Sequence, residues 1–443
     1  MITPAQEISP AVIGRYQKSR LRLLLLLFLS YIGFYFCRVN LVAALPFLET
    51  AFRFSKTQTG LILSAYFTLY SIGKIINGFA GDRAGGKAML LIGIGGSTIC
   101  NVVFGFGREL EFFIIVWSFN AFFQSMGWLS MVSIMSQWYS SAESGKAMGF
   151  LSLSYLLGDF GARSSASLII GLGGASWPYL FWIHAALFAG IGVLASWFVK
   201  SKPERIGLPG VDVYSKYLRA GPQECSLPAE VESRASIKTK KKAWLLVMLQ
   251  SRWFWLTCLI YLGFSVIRYI FWTWSILYLR ESGMATGMAV ITSAVFPLLG
   301  SFGAIAAGWA SDKLNARRGP VIAVMASLMV AGIYVFGRIP AAHPVFMVVT
   351  LGFIGFMLTG PYSLFAGAMA IDFGSRHSAA AASGIIDAIG AVGAMLSGAG
   401  MGYLIDRYQW NGAFTIVTGI AVLTTALCFP LWKLRPLREE EIS

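Results

Sequence analysis

Long apolar runs alternate with short polar breaks along almost the whole chain. They lie at about 21–47, 58–80, 87–106, 112–139, 146–172, 178–199, 253–279, 286–310, 319–337, 344–370, 379–404 and 412–432. Each approaches or exceeds the roughly 20 residues with which a helix crosses a bilayer. The strict alternation of barrel strands is absent, and a spanning chain must satisfy its backbone within helices or closed barrels, so helices are expected. Several runs are longer than the minimum, which predicts tilt or extension beyond the lipid. The one long polar segment, 200–252, divides the runs six and six. The pattern therefore predicts an all-α membrane protein of twelve transmembrane helices in two six-helix bundles, at 21–199 and 253–434. Short tails flank them at 1–20 and 435–443, with a linker at 200–252.

The two halves repeat. Arg38 stands within Tyr31-Ile-Gly-Phe-Tyr-Phe-Cys-Arg-Val-Asn40, and Arg268 within Tyr261-Leu-Gly-Phe-Ser-Val-Ile-Arg-Tyr269. Gly78-Phe-Ala-Gly-Asp82-Arg83 closes the second run, and Gly308-Trp-Ala-Ser-Asp312-Lys313 closes the eighth. Both pairs share one offset of 230 residues. Two unrelated features at one offset indicate duplication, and duplicated membrane units place a binding site at their interface near mid-membrane. Gly78 is expected to let helices approach closely, and so are the glycines of Gly93-Ile-Gly-Gly96, which lie inside an apolar run with no strand before them.

Composition agrees: 56% of residues are hydrophobic and 12% are charged, against roughly 25% charged in soluble domains. The net charge of +15 would suggest nucleic acid in a soluble protein. Here Arg53, Lys56, Arg108, Arg280, Arg338 and Arg407 fall on odd-to-even connections, and Arg38, Lys74, Arg163 and Arg268 within the runs. The other bases fall on the side of the termini and linker. Lys and Arg stay preferentially on the cytoplasmic side, so both termini are expected there and no nucleic-acid partner is implied. The first run is too long for the core of a cleavable signal. Cys37, Cys100, Cys225, Cys258 and Cys428 stand singly, and His184, His343 and His377 are scattered, so no disulfide framework, metal or cofactor is suggested. No nucleophile–base pair points to an enzyme.

The candidate chemistry lies in the charges inside the runs. An arginine at mid-membrane costs at least ~3 kcal/mol on insertion scales, a cost accepted where it faces water or a partner. Four bases stand against two acids, Asp159 and Asp387, which leaves a positive interior suited to an anion. The alternative for Arg38 and Arg268 is burial against those acids. Lys74 either adds to anion attraction or bridges to Asp387, and the bridge is the slightly favoured reading. Asp159 and Arg163, four residues apart, share a helix face as an ion pair; they are either a structural pair or a protonatable coupling site. Tyr35 precedes Arg38 by one turn, Gln124 and Trp128 are one turn apart, and Phe271, Trp272 and Trp274 follow Arg268. Such aromatics pack more often than they bind.

These motifs resemble those of the major facilitator superfamily. Gly78 to Lys87 has the spacing of its loop between the second and third spans, with a copy at 308–318. The resemblance covers the chain and implies the pseudo-symmetric twelve-helix fold, with Asp82, Arg83 and Asp312 in a gate latch rather than a binding site. Within it, Tyr35-Phe-Cys-Arg38-Val-Asn-Leu with Pro46, Tyr70-Ser-Ile-Gly-Lys74, Gln124-Ser-Met-Gly-Trp128, Gln137-Trp-Tyr139, Glu204-Arg-Ile-Gly-Leu-Pro209, Arg268-Tyr-Ile-Phe-Trp-Thr-Trp-Ser275 and Thr359-Gly-Pro361 are similar to the organophosphate:phosphate antiporters. That resemblance implies an inner-membrane transporter, taken as a monomer surrounded by lipid. It would exchange a phosphate ester such as a sugar phosphate or glycerol phosphate for inorganic phosphate. Arg38 and Arg268 would hold the phosphate, with Lys74, Tyr35, Gln124, Trp128 and Tyr362 lining the cavity. The chain departs from the family at Gly158-Asp159, where His-Asn is usual, at Thr359, where Tyr is usual, at Val39, where Lys is usual, and at Leu129-Ser130, where Pro-Pro is usual. Two other functions stay open: proton-driven symport of a carboxylate or other organic anion through Asp159 or Asp387, and sensing of a sugar phosphate without significant flux.

Overall fold

The computed structural model describes residues 10–172, 176–211, 213–215, 248–314, 317–340, 342–365 and 369–433, and their side chains except at 80–83, 141–146, 370–372 and 374–381. The tail before 10, most of the linker, the tail after 433 and the side chains of Asp82 and Arg83 lie outside the described residues.

Thirteen α-helices follow one another with no strand among the described residues: α1 (Pro10–Phe52), α2 (Lys56–Ala84), α3 (Gly86–Phe104), α4 (Leu110–Gln124), α5 (Met126–Trp138), α6 (Ser141–Gly171), α7 (Tyr179–Phe198), α8 (Arg252–Glu281), α9 (Thr286–Ser293), α10 (Val295–Lys313), α11 (Arg318–Phe336), α12 (Pro344–Leu364) and α13 (Ala370–Cys428). Among the described residues, ten segments are long and apolar enough to cross a membrane. α4 and α5 form one of these with a break at Ser125, and α9 and α10 another with a break at Ala294. α6 is not among the ten because serines, Asp159 and Arg163 lower its hydropathy, yet it is 31 residues long.

The eleventh and twelfth runs are joined in α13 rather than separated by a loop. Gln409 takes a positive φ of 56°, a left-handed conformation rare for a residue with a side chain. The two legs run in opposite directions. Along α8 the first leg runs from Gly390 at Tyr261 to Ser397 at Trp274, and the second returns from Trp410 at Tyr278 to Thr424 at Gly263. With α6 and the two legs of α13, the twelve expected crossings are accounted for. The protein is a multi-pass integral membrane protein.

The segment expected as a free tail at 1–20 is different from position 10 onward, because α1 begins at Pro10. Tyr16 is fully buried and stacks on Tyr214 of the linker, with ring centroids 3.8 Å apart. Arg20 is 7% exposed and donates from Nε to the Trp138 carbonyl at 2.8 Å. Aromatic burial here outweighs the cost of ordering a short polar segment.

α1 to α7 pack among themselves, as do α8 to α13. The halves meet where α2 lies along α13, α6 along α9 and α10, and α1 along α8. Near the odd-to-even connections each half carries a ring cluster. Phe104, Phe113, Trp117 and Phe181 form one, with Phe104 and Phe181 centroids 4.4 Å apart. Tyr278, Phe336, Trp410 and Phe414 form the other. Because lipid is as apolar as these rings, dispersion and close packing supply most of this stability. Gly93 and Gly96 serve close packing as expected, since a Cβ at Gly96 would lie 2.3 Å from the Phe123 ring. Gly78 and Gly308 do not: a Cβ on either meets nothing within 4 Å.

Candidate functional site

Arg38 projects from the middle of α1, partly buried. Its guanidinium lies 5.0 Å from the ring centroid of Tyr35, one turn earlier on the same helix, and 4.9 Å from that of Tyr70 on α2. Nε and Nη2 donate to Gln124 Oε1 on α4 at 3.4 and 3.3 Å. Arg268 projects from α8, also partly buried, between its neighbour Tyr269 at 5.1 Å and Tyr362 of α12 at 4.7 Å. Both guanidinium groups thus lie close to two tyrosine rings, where the ring quadrupoles attract the cation without neutralising it. Neither forms an ion pair among the described residues. Tyr35 of the first half lies within electrostatic reach of both guanidinium groups.

Lys74, one turn beyond Tyr70 on α2, is exposed and sits 5.2 Å from the Tyr70 ring. The favoured bridge to Asp387 is not formed. Asp387 on α13 is exposed and accepts instead from the Tyr261 hydroxyl at 3.1 Å. The two charges interact only at longer range. Tyr261 stacks on Tyr362 with centroids 4.7 Å apart, so a chain of contacts runs Asp387–Tyr261–Tyr362–Arg268. Trp128 packs on Tyr31 at 5.3 Å, and Tyr31 on Tyr35 at 5.6 Å; it supports Tyr35 from behind. Gln124 is 1% exposed. Its amide is occupied by protein groups, so the structure places it behind the cavity wall, not in it.

Asp159 and Arg163 form the expected pair, with Arg163 Nε donating to Oδ1 at 3.3 Å and both side chains buried. Arg163 also crosses to the other half, donating from Nη1 to Ser293 Oγ at 2.6 Å and from Nη2 to the Trp272 carbonyl at 3.0 Å. Asp159 Oδ2 is buried without a partner. Beside it, a Cβ at Gly158 would lie 2.9 Å from Tyr35 Cβ. The close approach of α6 to Tyr35 leaves no room for a larger residue there. Phe271 and Trp274 are buried packing residues, and Trp274 Nε1 donates to the Ser397 carbonyl at 3.0 Å. Asp312 is exposed and has no ion pair among the described residues.

Tyr70, Tyr269, Tyr261 and Tyr31 are absent from the candidates read from the sequence. The one sequence signal is spacing: Tyr66, Tyr70 and Lys74 fall at successive four-residue steps on α2, and Tyr269 adjoins Arg268. Pairing of tyrosines across α1/α2 and α8/α12 is a tertiary event.

All described hydrogen bonds between the halves lie between this site and the face of the odd-to-even connections. Arg280 donates to the Pro46 carbonyl and Thr50, Lys56 pairs with Glu281, and the Thr57 amide and hydroxyl donate to Asp406 at 2.8 and 2.6 Å. Ser167 Oγ donates to the Gly287 carbonyl at 2.8 Å on the same face, and deeper in Ser64 Oγ donates to the Met395 carbonyl at 2.6 Å. These bonds close the site toward the connections.

Residues 23–369 match the family model of the Major Facilitator Superfamily. The chain is 27% identical to the membrane sensor protein UhpC of Escherichia coli (strain K12), covering 96% of this chain and 95% of that one. It is 28% identical to a probable hexose phosphate transport protein of Chlamydia trachomatis, covering 94% and 92%. It is also 28% identical to the glycerol-3-phosphate transporter of Bacillus subtilis (strain 168), covering 94% and 93%. Among solved structures, a bacterial homolog of the human lysosomal transporter Spinster superposes with a TM-score of 0.71 at 14% identity, covering 93% of this chain and 96% of that one. The D-xylose–proton symporter superposes at 0.69 and 15%, covering 94% and 99%. Duplicated halves, twelve crossings and a family match over most of its length establish that this protein belongs to the Major Facilitator Superfamily.

Proposed function

We propose that this protein is a secondary active transporter of a small organic anion. The substrate is a phosphate ester, a sugar phosphate or glycerol phosphate, exchanged for inorganic phosphate by alternating access. The observation that carries the reading is the pair Arg38 and Arg268, one per half, each set between two tyrosine rings and without a carboxylate partner among the described residues. A guanidinium offers two parallel N–H donors that match phosphate oxygens, a geometry an ammonium lacks. Lys74 adds charge from α2; Tyr35 and Tyr362 hold the arginines and present faces and hydroxyls to the organic part. The relatives' names, which include hexose phosphate and glycerol-3-phosphate transport, support the substrate class. The charge distribution supports placing both termini, and hence the open side of the site, in the cytoplasm.

The test is counterflow in proteoliposomes preloaded with inorganic phosphate, screened against phosphorylated and carboxylated anions. Arg38→Lys and Arg268→Lys are each expected to lower transport by about ten-fold or more, the scale of losing a hydrogen bond to a charged group, with folded protein retained. Normal transport by both variants would refute the clamp. A second reading, proton-coupled symport, is favoured by the partnerless buried oxygen of Asp159. It predicts uptake that requires a pH gradient and ignores internal phosphate. A third, sensing without flux, is supported by the likeness to a membrane sensor protein and predicts phosphate-ester binding with negligible counterflow.

A further inference from the structure

Around Arg38 lies a ladder of buried amides that has no equivalent around Arg268. Gln124 Oε1 accepts from Arg38, while Gln124 Nε2 donates to the Phe34 carbonyl at 3.0 Å, to the Cys37 carbonyl at 3.3 Å and to Ser97 Oγ at 2.9 Å. Ser97 Oγ donates to Asn120 Oδ1 at 2.7 Å, and Asn120 Nδ2 donates to the Cys37 carbonyl at 3.0 Å. Asn101 Nδ2 reaches the same carbonyl at 3.3 Å and the Ser97 carbonyl at 2.9 Å. Asn40 Nδ2 donates to Asn101 Oδ1 at 2.7 Å. Asn40, Ser97, Asn101 and Asn120 are 0% exposed, so no solute reaches them.

We infer that this ladder positions the Arg38 guanidinium, and that Gln124, backed by Asn120 and Ser97, is a positioning residue that decides which edge of Arg38 meets the anion. The inference rests on the clamp reading. The Nε and Nη2 groups form one edge of the guanidinium plane, and Gln124 occupies that edge. The Nη1–Nη2 edge is clear of Gln124 and can offer two parallel bonds to an anion, beside the Tyr70 hydroxyl that also hydrogen-bonds the guanidinium. The backbone is held by the same groups, because three side-chain amides converge on the carbonyl of Cys37, the residue before Arg38. Buried polar groups with all partners in place rigidify what they hold, and a missing partner leaves others unsatisfied in a medium without water. Arg268 accepts no such constraint: no hydrogen bond reaches it among the described residues, and both its edges are open. The clamp therefore has a fixed jaw in the N-terminal half and an adjustable jaw in the C-terminal half. The fixed jaw sets phosphate orientation; the adjustable jaw tolerates differences in what the phosphate carries.

The experiment measures the Michaelis constant and maximal rate for inorganic phosphate in proteoliposomes for Gln124→Met, Ser97→Ala and Arg38→Lys, and for Gln124→Met combined with Arg38→Lys. Gln124→Met is expected to raise the Michaelis constant about ten-fold with a maximal rate within about two-fold. Ser97→Ala, which keeps the packing, shifts it in the same direction by less. In the Arg38→Lys background the Gln124 change adds little, because its effect passes through the guanidinium. If Arg38→Lys alone leaves the constant unchanged, the clamp itself fails. If Arg38→Lys weakens binding but Gln124→Met costs the same in both backgrounds, Gln124 does not act through Arg38 and the positioning role fails. Where Arg38→Lys abolishes transport, or Gln124→Met does not fold, the single Ser97→Ala variant decides: a lower maximal rate at an unchanged Michaelis constant overturns the proposal.

Discussion

The two faces of the molecule differ in how the halves meet. On the side of the odd-to-even connections they are joined through Pro46 to Ser64 and through Arg163 and Ser167 in the first half, and from Trp272 to Asp406 in the second. On the side of the linker no described hydrogen bond crosses, and the glycines of the repeated loop motif, Gly78 and Gly308, have empty space before them. The closed face is held by many small contributions. Lys56 joins Glu49 and Glu281, and side-chain exposures of 17% and 35% for Lys56 and Glu281 put this pair among ion pairs worth about 0–1 kcal/mol. Asp406 accepts from the Lys56 and Thr57 amides at 3.0 and 2.8 Å, capping the start of α2 from the other half, a cap of about 1 kcal/mol. Glu281 also accepts from Trp410 Nε1 at 2.6 Å. A transporter that rocks between two states needs them within a few kcal/mol of each other. A closed face assembled from weak and separable bonds meets that need better than one strong lock.

Three changes grade this comparison by size. The largest effect is expected at Gly60 on α2, where a Cβ would lie 2.5 Å from the Gly398 carbonyl oxygen of α13. Backbone cannot yield as a side chain can, so Gly60→Val should wedge the closed face open. Overpacking of this kind costs ~1–3 kcal/mol, roughly a five- to 150-fold shift in population. Asp406→Ala, which removes the cap supplied across the interface, should shift the same equilibrium about five-fold. Glu281→Gln, which weakens one exposed pair, should shift it about two-fold. Each is read as the rate at which an impermeant maleimide, added from the connection side, labels Phe67→Cys in a protein otherwise free of cysteine. Phe67 lies against Tyr269 across the interface, with centroids 4.7 Å apart. Faster labelling in the order Gly60→Val, Asp406→Ala, Glu281→Gln is expected. Equal rates in all three would mean that the contacts seen on this face do not control its opening.

Much of the fold and part of the site are legible in the amino-acid order. The shared offset of Arg38 with Arg268 and of Asp82 with Asp312 exposes the duplication, and charge inside apolar runs marks the site. Asp159 and Arg163 announce their pair because four-residue spacing is a local helical relation. Lys74 and Asp387 show the limit. Opposite charges on different helices suggest a bridge, but Tyr261 holds the Asp387 carboxylate and Tyr70 lies beneath the ammonium. Gln124 shows the same limit in another way. The family resemblance puts it on a cavity-lining helix, whereas rotation of α4 turns its amide into the bundle. Gly78 suggests close packing, and a Cβ there instead meets nothing within 4 Å.

The chain by itself determined the spans, the repeat, the excess of unpaired positive charge and the local ion pair. These depend on length, hydropathy and separations of three or four residues, which any helix of this sequence would express. Only the tertiary structure decided which tyrosines frame each guanidinium, which face of the interface is closed, and that one arginine is braced by buried amides while the other is not. Those outcomes depend on the rotation and tilt of one helix against another. In a bilayer many apolar faces pack about equally well, so a few buried hydrogen bonds and close glycine contacts select among arrangements that hydropathy cannot distinguish.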